Sequence, residues 1–282
     1  MLEKLLKDAH TGDAEAMFQL GTMYAFGNGV AVDLDEALHW LTQASSRGHM
    51  IASEVLKDIG RTQETIKETV ECKGENKRKL VRLWEGGPCW ADRNVGAENP
   101  WDFGYYFWWG DTVGYEWKNG KWVASNGFKT GCSFDYSNTA TYCTDCSALR
   151  RDGWTTADDV LVPNHDAAQK HWGGDWRMPT IGEFEDLISK CDWKWTEQNA
   201  VKGYIVQGKG SYASESIFLP CAGYGSGTSL NYAGSDGHYW SSVPYSDNCR
   251  AWILDFRSGG HDADYYFRYC GRSVRPVQGV TK

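Results

Sequence analysis

Gly237-His-Tyr-Trp-Ser-Ser-Val243, Ala251-Trp-Ile-Leu-Asp-Phe-Arg257 and Gly271-Arg-Ser-Val-Arg-Pro-Val277 decide how the C-terminal part of this chain folds. In the middle segment, period two puts Trp252, Leu254 and Phe256 on one side, and Ile253, Asp255 and Arg257 on the other. The apolar side predicts a strand lying on a core, and the mixed side predicts an outward face. Trp240, Ser241, Ser242, Gly259, Arg268, Gly271 and Val274 read as a framework of packing and turn residues around that strand.

Between the framework positions stand residues suited to touching something: Asp236, His238, Tyr245, Asp247, Asn248, Cys249, Arg250, Ile253, Asp255, Arg257, His261, Asp264, Tyr265, Tyr266, Phe267, Tyr269, Cys270 and Arg272. Tyrosine gives stiff amphipathic contact area at low entropic cost, and Ser, Asn and Gly adapt their hydrogen bonds. Any one tyrosine is more simply part of a solvated strand face. The whole group, with Arg and Asp among the aromatics, has the make-up of an interface. Of these, Asp247, Asn248, Ile253, Asp255, Arg257, His261, Asp264, Tyr265, Tyr266, Tyr269 and Arg272 are expected to be largely exposed, to form one contiguous surface and to tolerate substitution, whereas Trp240, Trp252, Leu254 and Phe256 are expected to be core.

Outside this segment, composition narrows the function. The chain has 282 residues and a net charge of −8, and its basic runs are no longer than Lys77-Arg-Lys79. Binding to nucleic acid by phosphate neutralisation is therefore not expected. No apolar stretch approaches transmembrane length. Met1 to His10 reads as an amphipathic helix without the apolar core of a secretory signal, so the expected location is cytoplasmic, with a phage particle or surface display by another route as alternatives.

Nine cysteines, scattered along the chain, do not read as a disulfide framework. Cys143-Thr-Asp-Cys146, with Cys132 upstream, has the spacing of half a zinc or redox site, but no second CxxC or spaced His pair completes it. Free or locally paired thiols in a loop are the simpler reading, and no metal or cofactor is expected. His165, His171 and Asp175 lie close in sequence, and Cys191 or Cys221 could be imagined as a nucleophile. No motif sets a base beside either thiol, so no catalytic residues are assigned.

Residues 1–60 follow a different grammar. Gly12, Ala16 and Leu20 recur as Gly48, Ala52 and Leu56, and Ala16, Leu20, Tyr24 and Ala37, Trp40, Leu41, Ala44 carry helical periodicity on two segments. Residues 61–78 are charged and poorly periodic, and read as a helical tail merging into a linker. From Lys79 to residue 282 short strand patterns, glycine turns and aromatics take over. Asn119-Gly120 predicts a type I′ hairpin turn. Asp166 to Trp172 reads as a short helix, and Thr180 with Glu183 as a capping box opening a second one, faced by Ile181, Phe184, Leu187, Ile188 and Cys191.

Residues 16–48 resemble the SEL-one-like repeat of the tetratricopeptide superfamily, which implies a helical hairpin that docks a partner or serves as a spacer. The ordered set Trp90-Ala-Asp-Arg-Asn-Val-Gly-Ala97, Trp176-Arg-Met-Pro-Thr180 with Glu183, Ile217-Phe-Leu-Pro220 with Ala222-Gly223, Tyr239-Trp-Ser-Ser242 and Gly271 to Val277 resembles the major-paralogous-type (FISUMP-type) domain, over about residues 79–278. That resemblance implies an α+β, C-type-lectin fold of short strands, two helices and much loop. It also implies kinship with the variable proteins of diversity-generating retroelements, in which a cassette, here 234–272, is rewritten at adenines to vary a ligand-binding face. Formylglycine-generating enzymes share that fold, but their cysteine and metal signature is not apparent here, and neither Glu-Pro-Asn nor Gln-Pro-Asp, the usual calcium signature of lectins, occurs.

The sequence thus predicts a non-catalytic binder that meets a protein or surface ligand through its C-terminal face. An adaptor that works through its helical repeat is the second reading, and an enzyme on the lectin-like fold the third. It further predicts that Lys79–Trp84 pairs antiparallel with Ser273–Val277, burying Val81.

Overall fold

The computed structural model describes residues 2–26, 30, 34–56, 79–125 and 132–279, so the expected linker at 61–78 lies outside the described residues. The chain divides into two compact units, Met1–Glu71 and Cys72–Lys282.

The first unit is helical: α1 (Leu2–His10), α2 (Ala14–Phe26), α3 (Leu34–Ser46) and α4 (50–56). Small residues at the crossing let the helices approach. A side chain at Gly21 would run into Leu41, and Ala16, Leu20, Ala37, Leu41, Ala44 and Ala52 are all buried. The repeat positions read from the sequence are the core of this unit.

The second unit mixes short sheets with three short helices: α5 (Cys146–Arg151), α6 (Ala167–Trp172) and α7 (Ile181–Lys190). Asp166 caps α6, and Thr180 opens α7 with the expected capping box closed by Glu183. β1 (Leu80–Arg82), β2 (Cys89–Ala91) and β13 (Val277–Gln278) form one sheet in the order β1-β2-β13. The two ends of the unit therefore reach the same sheet, but the expected direct pairing is corrected. Trp90 on β2 stands between Val81 and Val277 and pairs with both. Val81 is buried, as expected.

β3 (Tyr115–Lys118) and β4 (Lys121–Ala124) form the hairpin predicted at Asn119-Gly120, and both turn residues have positive φ as a type I′ turn requires. β5 (Asp192–Gln198), β6 (Val201–Gln207) and β7 (Ser216–Pro220) make a second three-stranded sheet, and β8 (Tyr224–Ser226) with β9 (Ser229–Asn231) a small ribbon.

The last sheet runs β10 (Asp236–Pro244), β11 (Arg250–Arg257), β12 (Gly260–Phe267), with β11 in the middle. One face of β11 sends Leu254 and Phe256 into a cluster with Val81, Trp90, Phe184, Leu187, Tyr239 and Val277. The other sends Ala251 and Ile253 into a second cluster with Phe107, Trp109, Trp240 and Val274. A side chain at Gly237 would fall inside the ring of Phe256, which crosses the strand there.

Three buried arginines tie the C-terminal segment to its surroundings. Arg275 donates to Asn94 Oδ1 (2.9 Å) and to the carbonyls of Ala91 (3.2 Å) and Phe218 (2.9 Å). Arg268 donates to the carbonyls of Arg250 (2.8 Å), Thr141 (3.0 Å), Thr144 (2.7 Å) and Asp247 (3.3 Å). The third, Arg272, makes no such bond.

Candidate ligand-binding face

β12 is an edge strand of the C-terminal sheet, and it turns residues to both of its faces. Tyr265 stands opposite Trp252 and Phe267 opposite Arg250, whereas Tyr266 stands opposite Ala251 and Asp264 opposite Ile253. Two aromatic groups result, one on each side of the strand.

On the first side Tyr245 stacks on Tyr265 (centroids 3.8 Å apart), and Trp252 meets both rings edge-on at 5.0 and 5.7 Å. The Arg250 guanidinium lies 4.5 Å from the Tyr265 ring centroid and 5.3 Å from that of Tyr245, and its Nε is 2.5 Å from Asp247 Oδ2. Asp247 Oδ1 accepts from the backbone N–H of Cys249 (2.9 Å) and Arg250 (2.8 Å). Burial pushes the Asp247 carboxyl up, but these two N–H groups and the guanidinium together hold it below its ordinary value. The carboxylate is thus a fixed anion that orients Arg250 over the rings.

On the second side a row of rings runs Tyr232–Tyr224 (5.9 Å), Tyr224–Tyr266 (6.0 Å), Tyr266–Phe267 (5.7 Å), Phe267–Tyr269 (5.2 Å), Tyr269–Tyr142 (5.3 Å) and Tyr142–Tyr136 (6.0 Å). The two groups meet at Phe267, which adjoins Tyr266 and pairs with Arg250. Tyr136, Tyr232, Tyr266 and Phe267 are 67%, 60%, 37% and 37% exposed, and all the large exposed apolar side chains found among the described residues of this unit belong to this row. Scattered single apolar residues on a surface need no explanation; a connected row does.

The polar positions of the cassette are dispersed around this path. Asn248, Arg257 and Asp264 are exposed. Asp236, His238, Asp255 and His261 are half-buried. His238 Nδ1 lies 2.7 Å from Asp255 Oδ1, within ion-pair distance but off the line of a hydrogen bond. His261 stacks flat on Trp193 at 4.3 Å, and burial lowers its pKa.

Several expectations are corrected. Ile253 and Arg272 were expected at the surface and are 1% and 0% exposed, and the candidate contact residue Cys270 is 2% exposed. Trp252, expected in the core, is only half-buried and belongs to the aromatic group on the first side. Ile253 is buried because β11 is covered on both faces at its middle, so alternation there separates two cores, not core from solvent. The contact residues also wrap around an edge strand instead of lying on one face.

Tyr136, Tyr142, Tyr224 and Tyr232 were not anticipated, because they lie upstream of the cassette. A usable signal existed in Asp135-Tyr-Ser-Asn138 and Asn231-Tyr-Ala-Gly234, which share the Tyr/Ser/Asn/Gly make-up of the cassette.

The other chemistry-bearing residues are occupied elsewhere. His165 stacks on Trp154 at 3.9 Å, and His171 Nε2 contacts the Thr112 carbonyl at 2.9 Å. Burial pushes the Cys191 and Cys221 thiols up to about 12, so both stay protonated near neutral pH. Cys132 is buried, Cys143 and Cys146 are free thiols, Cys89 is disulfide-bonded, and no cluster of three or more His, Cys, Asp or Glu suited to a metal occurs among the described residues. A cleft of about 670 Å3 walled by Trp101, Phe103, Tyr105 and Trp117 contains none of the cassette residues.

Comparison with known families gives two matches. Residues 14–49 are a Sel1 repeat, and residues 173–277 match a domain of unknown function (DUF8237). The second match takes in α7, the C-terminal sheet and most of the ring row. No curated protein and no solved structure matches the chain.

Proposed function

We propose that this protein is a non-catalytic binder that recognises a protein partner through the aromatic face wrapped around β12. The observation that carries this reading is the connected row of exposed rings from Tyr232 to Tyr136, joined at Phe267 to the Tyr245, Trp252 and Tyr265 group. Aromatic residues and Arg are the commonest anchors of protein interfaces, and exposing them together costs solubility unless a partner covers them. Asp247, Asn248, Arg257 and Asp264 supply a polar rim. No helix among the described residues is long and apolar enough to cross a membrane. The Sel1 repeat, a module that typically mediates contacts between proteins, supplies a second and separate docking element.

The finer reading is a C-type-lectin fold of the FISUMP type, serving as the variable protein of a diversity-generating retroelement. It is supported by five motifs in order and by the tyrosines and Asp264 that the edge strand β12 carries within the cassette. Sequencing the gene from sibling isolates tests it. Substitutions concentrated at adenines within codons 234–272 are expected, with Trp240, Leu254, Phe256 and Arg275 unchanged. Substitutions spread evenly over codons 79–278 would refute diversification and leave an ordinary binding domain.

A further inference from the structure

Arg272 is fully buried, and none of its three guanidinium nitrogens has an oxygen or nitrogen hydrogen-bond partner. The same chain satisfies its other two fully buried guanidiniums with backbone carbonyls and, for Arg275, the Asn94 amide oxygen, three bonds or more each. Several buried indole N–H groups are also unpartnered, but each is a single neutral donor. A buried cation without a partner is far more costly, because it has lost its water and gained no counter-charge.

What surrounds the guanidinium is aromatic. It lies 4.6 Å from the Trp240 ring centroid, 4.5 Å from that of Tyr266 and 5.3 Å from that of Tyr224. Tyr266 on β12 stands opposite Ala251 of β11, and Trp240 on β10 stands opposite Ile253 of the same strand. Burial pushes the neighbouring Cys270 thiol up, and Arg272 opposes that push through its charge and a hydrogen bond to the sulfur, but a neutral thiol is too weak an acceptor to balance the charge. The backbone of Arg272 is fixed by a reciprocal pair of 3.0 Å bonds with Phe107, so the side chain cannot be carried outward by a loose chain. His238, whose Nε2 is likewise buried and unpartnered, sits 5.2 Å from the Tyr224 ring.

We propose that Arg272 is a carboxylate-binding anchor beneath the aromatic face: an acidic side chain of the partner protein enters past Tyr266 and pairs with its guanidinium. The inference rests on reading that face as a binding surface, and it specifies what the surface selects. With rings over its faces, the guanidinium offers only its N–H edge. A planar carboxylate matches that edge with two parallel bonds. Tyr266 is the cover because it is partly exposed, sits on the edge strand and lies directly over the group. The cost of the uncompensated charge in the free protein is recovered when the carboxylate arrives, so recognition is selective for acidic partners.

The test uses the full chain and acetate as the probe. With arginine side chains labelled with 15N, acetate titration at constant ionic strength should shift the Arg272 Nε–H resonance and leave those of Arg268 and Arg275 in place. Acetate should also raise the melting temperature by about 2–4 °C over chloride. Arg272→Met should abolish that rise, and Tyr266→Ala should keep it. If Arg272→Met does not fold, the resonance shift alone decides. An unmoved Arg272 signal, or an equal response of all three arginines, overturns the proposal. A larger response to inorganic phosphate than to acetate overturns the carboxylate assignment. If Arg272 stays silent while substitutions at Tyr265 or Phe267 weaken partner binding, only this inference fails and the binding face stands.

Discussion

Arg275 and Arg272 are three residues apart, both fully buried, and opposite in consequence. Replacing Arg275 by Met strands Asn94 Oδ1 and the carbonyls of Ala91 and Phe218 without donors. A loss of about 3–5 kcal/mol is expected, measured by urea unfolding followed through tryptophan fluorescence. Arg272→Met removes a buried charge that no oxygen or nitrogen satisfies, and Met keeps an apolar side chain against the rings, so it should cost much less than Arg275→Met. Comparable losses for the two would contradict the distinction. His171 gives a pH signature. Burial lowers its pKa from an ordinary 6.5, and Nε2 sits against the Thr112 carbonyl. Because the folded state resists protonation, it binds fewer protons than the unfolded chain below pH 6.5. The stability this residue contributes is therefore present above that pH and lost as the pH falls through it. Wild type should lose more stability than His171→Gln between pH 7.5 and 5.5, and parallel curves would refute this. None of the three environments was readable from the sequence, since each depends on which carbonyls and rings the distant chain supplies.

β11 explains both what was legible among the elements and what was not. Its strand character, the hairpin at Asn119-Gly120 and the capping box of α7 followed from local chemistry, because a turn or cap is decided by residues in immediate contact. The inward and outward sides of β11 did not, because period two says which residues share a face but not whether that face meets solvent. The sheet order β1-β2-β13 was missed for a related reason: both outer strands look alike as short apolar runs, and nothing local names Trp90 as the residue between them. At this scale Val81→Asp should unfold the second unit, since an aspartate there meets Trp90 and the central cluster without a partner. Loss of near-ultraviolet circular dichroism at 25 °C is the readout, and a native spectrum would contradict the placing of β1. Within the C-terminal sheet, Trp240→Ala should cost about 3–5 kcal/mol. Arg257→Ala and Asp264→Ala, at exposed positions, should stay within about 0.5 kcal/mol. A scan in which these three variants melt together would remove the division into scaffold and surface.

Across the whole molecule, the proposed binding face lies mostly outside the packed clusters. The two packed clusters and the satisfied arginines hold the second unit, and the edge strand β12 with its neighbouring loops is left free to carry varied side chains. The helical unit brings its own buried core, so changes on one unit need not be read through the other. The most direct measurement is the affinity of the full chain for purified acidic surface proteins, compared among three variants of equal thermal stability. These are Tyr266→Ala with Phe267→Ala, Tyr265→Ala, and Lys121→Ala on the β3–β4 hairpin. The expected result is a partner whose binding weakens by about thirtyfold or more in the first two, equivalent to roughly 2 kcal/mol at an interface centre, and is unchanged in the third. Binding that survives both aromatic substitutions, or that follows Met50 and Ile51 of the helical repeat instead, would contradict it.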